Sequence, residues 1–133
     1  MVVDTSALIA IIYRESDHDH FEQAIGQERT RFLSAASALE AAIVVTRRAG
    51  PEGAQQALAI LDDVVRSLGL TIEPVTAPQV NLARDAYLRY GKGMKGAGLN
   101  YGDCFSYALA KHSGEPLLFK GDDFTQTDIT SCR

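Results

Sequence analysis

The fold class is decided by the stretch Met1-Val2-Val3-Asp4-Thr5-Ser6-Ala7-Leu8-Ile9-Ala10-Ile11-Ile12. Met1 to Val3 reads as the end of a buried strand, because β-branched apolar residues favour a pleated, covered surface. Ala7, Leu8, Ile9, Ile11 and Ile12 follow as a short, nearly all-apolar helix, which must therefore be buried. The alternation continues outward. Asp17 to Ile25, with Phe21, Ala24 and Ile25 on one face, is expected to be a helix closed by Gly26. Arg31 to Leu33 reads as a brief strand, and a helix from Ser34 or Ser37 to Ala49 is stopped by Gly50-Pro51. The spacing of Ala54, Ala57, Leu58, Leu61, Val64, Val65 and Leu68 predicts another helix over 52–68. Leu70 to Glu73 is a strand candidate. Thr76-Ala77-Pro78-Gln79 reads as the capped start of a helix that runs to Tyr90. Residues 91–102 hold five of the eleven glycines and read as a flexible loop. Tyr101 to His112 is then helical, Pro116 to Lys120 a strand, and Thr127 to Ile129 an edge strand. Strands alternating with helices imply an α/β fold whose mostly parallel sheet carries helices on both faces. In such sheets a ligand site forms beyond the carboxyl ends of the strands, at a topological switch point.

At 133 residues the chain has the size of one domain over 1–133, with enough sequence to bury a core. It is 46% hydrophobic and 23% charged, which excludes a disordered tail. Thirteen bases against seventeen acids give a net charge of −4, which argues against a partner held by a basic surface alone. Cys104 and Cys132 read as a core thiol and a tail thiol in a reducing compartment. There is no basic leader, and the apolar run Ala35 to Val45 is too short to span a bilayer and contains Glu40. The expectation is a soluble cytoplasmic protein with no membrane partner.

Most acids belong on solvated faces, but three stand isolated among apolar residues. Asp4 lies between Val3 and Thr5. Glu40 is the sole charged residue from Phe32 through Thr46, and Asp103 the sole one from Leu99 through Ala110. Each fits a helix start on its own: Asp4 as an N-cap, Ser37-x-x-Glu40 as a capping box, Asp103 as a first-turn acid after Asn100. Together they suit a hard divalent cation, which takes oxygen ligands and stabilises charge developing on a phosphodiester. Asp122 and Asp123 follow the last strand candidate and offer a fourth carboxylate, or a solvated turn.

Val2-Val3-Asp4-Thr5-Ser6-Ala7-Leu8, Ser37-Ala38-Leu39-Glu40, Leu99-Asn100-Tyr101-Gly102-Asp103-Cys104 and Leu117-Leu118-Phe119 to Phe124 resemble the ordered motifs of PIN-domain proteins. Within that family the chain is similar to the VapC toxins of bacterial type II toxin–antitoxin systems. The resemblance implies a PIN-like three-layer α/β/α fold and a Mg²⁺- or Mn²⁺-dependent endoribonuclease. It also implies an RNA substrate, a VapB-type antitoxin, and a homodimer or toxin–antitoxin hetero-oligomer. Carried over by motif, Asp4, Glu40 and Asp103 form the acidic site and Ser6 orients Asp4. Where many relatives carry Thr-x-Asp-x-Asp-Phe, this chain has Phe119-Lys120-Gly121-Asp122-Asp123-Phe124, so Gly121 replaces the first acid. The fourth ligand then falls to Asp123, with Asp122 second. Setting these four acids aside leaves thirteen against thirteen bases, so the charge balance no longer speaks against RNA.

Arg84, Arg89, Lys92 and Lys95 stand with Tyr87, Tyr90 and Tyr101 around the glycine-rich loop. Such residues can contact phosphates and stack unpaired bases, which marks Arg89, Lys92 and Lys95 as substrate-binding candidates. The alternative is a solvated loop whose tyrosines pack inward. His18 and His20 lie about 200° apart on a helix and read as surface residues. The Leu58, Leu61, Val65 stripe reads as core, or in part as a dimer or antitoxin surface. Two other functions compete. A non-catalytic PIN-like module binding RNA or protein has no need of three isolated acids. A phosphatase with Asp4 as nucleophile wants a second Asp where Ser6 stands.

Overall fold

Successive residues along the strands face different sets of helices, and this alternation builds the layers. In the computed structural model, which describes residues 1–94 and 98–132, the sheet comprises β1 (Val2–Val3), β2 (Phe32–Ser34), β3 (Thr71–Glu73) and β4 (Leu117–Leu118). All pairings are parallel and the order is β3-β2-β1-β4, with Val2 opposite both Phe32 and Leu117. Val3, Leu33 and Leu118 point to one face, and Val2, Phe32 and Leu117 to the other, as a period of two requires. The first face is covered by α1 (Thr5–Ile12), α2 (His18–Gln27) and α3 (Ala35–Ser67), through Leu8, Ile11, Phe21, Ile25, Val45 and Leu61. The second is covered by α4 (Ala77–Tyr90) and α5 (Tyr101–Ser113), through Ala83, Ala86, Tyr107 and Leu109. This is the expected three-layer α/β/α architecture with a parallel sheet.

Several local expectations are corrected. The first helix does carry the Asp4 cap read from the sequence and begins at Thr5. Gly26 does not close α2, which continues to Gln27 with Glu28 as its C-cap. The expected break at Gly50-Pro51 is present: across Gly50, α3 is two helices joined at a kink, with Gly50 at φ 73°, a value open to glycine. Thr76 caps α4 by position but makes no side-chain bond to it; its buried Oγ1 has no partner among the described residues. The last core strand is two residues rather than five. Residues 127–129 form no strand, because Thr127 N–H turns back to Phe124 O at 3.1 Å; Ser131 instead makes a bridge to Leu117. Among the described residues no helix is long and apolar enough to cross a membrane. Of the Leu58–Leu61–Val65 stripe, Leu61 is core, Val65 half-buried and Leu58 exposed.

Candidate active site

The chain leaves β1 toward β2 on one side of the sheet and returns to β4 on the other, so the switch point lies between the carboxyl ends of β1 and β4. Asp4 stands there, 3% exposed. Its Oδ2 accepts the Ser6 N–H at 2.9 Å and the Ser6 hydroxyl at 2.6 Å. Ser6 Oγ in turn accepts the Lys120 N–H at 3.0 Å, which ties the loop after β4 to the start of α1. Asp4 is thus an N-cap and a cleft residue at once.

Glu40 is placed by a different helix start from the one its sequence suggests. β2 extends to Ser34, and the Ser34 hydroxyl caps α3 by accepting the Ala36 N–H at 3.3 Å. Ser37 therefore lies inside the helix, bonded to Ser106 Oγ at 3.1 Å, and the expected capping box with Glu40 does not form. Glu40, freed from capping, accepts the Thr5 hydroxyl at 2.7 Å and lies hard against Gly102. Asp103 does form its box: it accepts the Asn100 N–H at 2.8 Å and donates its own N–H to Asn100 Oδ1 at 3.0 Å.

The electrostatics join these residues into one group. Burial pushes the Asp103 carboxyl up to about 7; the Asn100 N–H opposes this, and the charges of Asp4, Asp123 and Glu40 add to it. The exposed Asp123 has Oδ1 3.6 Å from the place a Cβ would occupy on Gly98, in the segment leading to α5. Asp122 faces elsewhere, lining a depression with Asp17, His20, Phe21 and Lys120. Among the described residues none of Asp4, Glu40, Asp103 and Asp123 is ion-paired.

An all-oxygen set with no base to neutralise it fits a hard divalent cation. No three of these four carboxylates bring oxygens within 4.8 Å of one another, a spread that suits an ion keeping several of its waters. The tighter group among the described residues is His18, Asp19 and Glu22. There His18 is turned inward rather than lying on the surface, with Nδ1 3.2 Å from Asp19 and 3.4 Å from Glu22, both solvent-exposed carboxylates.

The candidate substrate residues are scattered by the fold. Arg89 is taken up by the Tyr107 hydroxyl at 3.1 Å and by Asp128 at 3.7 Å. Lys92 is exposed, its N–H donating to Leu99 O at 2.8 Å. Lys95 lies outside the described residues. Tyr101, 80% exposed, stacks edge-on against Phe105 beside Asp103. With Arg84 and Tyr87 it lines a groove of about 690 Å³ between α4 and α5. Burial and the neighbouring Asp103 push the Cys104 thiol up to about 11, so it stays protonated as a core residue. Two residues that matter went unassigned in the sequence: Thr5, which holds Glu40, and Gly102, which makes room for it. A glycine in the first turn of a helix was the one visible signal.

Comparison with known proteins shows the family and the fold. The family model for the PIN domain matches residues 1–129. A ribonuclease VapC from Mycolicibacterium smegmatis is 50% identical over 131 residues, covering 98% of each chain. Among solved structures, VapC20 of Mycobacterium tuberculosis, described as a sarcin–ricin loop cleaving toxin, superposes with a TM-score of 0.76 at 18% identity. It covers 99% of this chain and 98% of that one. VapBC2 from Rickettsia felis, bound to a DNA fragment from its promoter, gives 0.74 at 16% identity, covering 98% of this chain and 96% of that one.

Proposed function

The chain belongs to the PIN-domain family, and from that premise we propose that it is a ribonuclease toxin of a VapBC pair. It acts as a single domain over residues 1–133 in the cytoplasm and hydrolyses RNA phosphodiester bonds with Mg²⁺ or Mn²⁺. Asp4, Glu40, Asp103 and Asp123 are its metal ligands and catalytic acids. The observation that carries the reading is the gathering of these carboxylates at the switch point with no base paired to them among the described residues, where their charges help raise Asp103 to about 7. When bound, the cation supplies an activated water and stabilises charge on the phosphodiester.

The protein's own part is to hold oxygens where that ion needs them. Ser6 fixes one oxygen of Asp4 by two hydrogen bonds and leaves the other to the cleft. Asp103 likewise gives one oxygen to the Asn100 N–H and keeps one. Asp123, rather than Asp122, is the fourth acid, because its charge reaches Asp103. Lys92 and Lys95 contact the RNA backbone, with Tyr101 offering an aromatic face to an unpaired base. Arg89, already bonded to Tyr107 and Asp128, holds the structure rather than the substrate. A VapB-type antitoxin is the restraining partner, in a hetero-oligomer or on a toxin homodimer.

The test is cleavage of an RNA panel by purified protein with Mg²⁺ or Mn²⁺, then with chelator, beside Asp4→Asn. Cleavage that chelator and the substitution each abolish is expected. Activity indifferent to either would overturn the mechanism.

A further inference from the structure

Gly102 sits in the first turn of α5, and its backbone does not require glycine. Its φ is outside the left-handed range taken by Gly50, Gly69, Gly93, Gly114 and Gly121. Glycine within a helix is less stable than alanine there, so some other demand must hold it. That demand is Glu40. A methyl group at position 102 would meet both carboxylate oxygens of Glu40, with Oε2 at 2.6 Å and Cδ at 2.7 Å, distances no side chain tolerates. The same Oε2 accepts the hydroxyl of Thr5, itself 7% exposed at the first residue of α1. The carboxylate is therefore seated between the first turns of α1 and α5, where helix N-termini carry partial positive charge.

We infer that Gly102 is a positioning residue for Glu40. Its missing side chain lets α5 begin against the carboxylate, and Thr5 fixes the same group from α1. The pair holds Glu40 facing Asp103 when it would otherwise swing toward solvent. The inference rests on the ribonuclease reading, in which Glu40 is a cation ligand.

The experiment compares wild type, Gly102→Ala, Glu40→Ala and the double variant, with Asp4→Asn as reference. The readouts are Mn²⁺ affinity by calorimetry and melting temperature without metal. The added methyl meets the far end of a flexible side chain, so Gly102→Ala folds by displacing Glu40. It is expected to melt at or above wild type, while its Mn²⁺ Kd rises about tenfold or more. In the Glu40→Ala background the same change should alter Mn²⁺ affinity by no more than about twofold, because the two positions act as one. The inference is overturned if Gly102→Ala binds Mn²⁺ as wild type does, if it weakens binding equally in both backgrounds, or if it melts well below wild type. Equal Mn²⁺ binding by wild type and Asp4→Asn would remove the cation reading itself, which separates the two failures.

Discussion

Acids in two regions of this molecule are treated in opposite ways. Asp128, 45% exposed, accepts the Tyr107 hydroxyl at 2.6 Å and faces Lys111 at 3.2 Å and Arg89 at 3.7 Å. These partners, the hydroxyl foremost, hold its carboxyl below the usual range. Glu15 and Asp17 share the Lys120 ammonium at 2.6 and 2.8 Å. Asp4 and Asp103 are 3% and 8% exposed and have no base paired to them among the described residues. Asp128, Glu15 and Asp17 are partly exposed and paired to bases; Asp4 and Asp103 are buried and, among the described residues, are not. Burying charge without a partner costs free energy, so the switch-point acids are kept for something other than stability.

Removing an acid from each group breaks the comparison most sharply. Asp4→Asn retains a good N-cap but is expected to lower RNA cleavage about a hundredfold or more, read as initial rates with saturating Mg²⁺. Asp128→Asn should leave the rate near that of wild type.

A second contrast concerns pH. The folded protein keeps a proton on Asp103 that the unfolded chain has released between about 4 and about 7. The native state then binds more protons than the unfolded one, so this group's contribution falls as pH rises and is lost above 7, by a few kcal/mol in order of magnitude. Asp103→Asn, which keeps an oxygen for the Asn100 N–H, should melt above wild type at pH 8 without metal and close to it at pH 5. Thermal melts with and without Mg²⁺ check this, since the cation should restore wild type.

Smaller effects belong to the satisfied acids. Asp128→Ala should cost about 1 kcal/mol in denaturant titration, since it strips a partner from a buried tyrosine but sits half in water. Lys120→Met should cost less than Asp128→Ala, an effect that shrinks in high salt.

The sequence showed Asp4, Glu40 and Asp103 because each is a lone charge in an apolar run, a pattern that survives without coordinates. It also showed the layers, since the strands alternate and the helices carry apolar stripes. It left the cap of α3 open between Ser34 and Ser37, because two serines compete for it. The winner, Ser34, is set by β2 pairing with β3 opposite Glu73, a partner distant in sequence. Arg89 looked available for phosphate because its partners, Tyr107 and Asp128, are far along the chain. The strand expected at 127–129 gave way to a turn for the same reason, with Asp128 drawn to Tyr107. Gly102 was visible only as a glycine in the first turn of a helix, because the group it accommodates sits on another helix.

Calorimetric titration of Mn²⁺ decides whether the switch-point carboxylates form the cation site. Wild type and His18→Ala should bind Mn²⁺ alike at neutral pH, and Asp4→Asn should lose most of that affinity. Undiminished binding by Asp4→Asn, with binding lost in His18→Ala, would move the ion to the start of α2 and contradict the account.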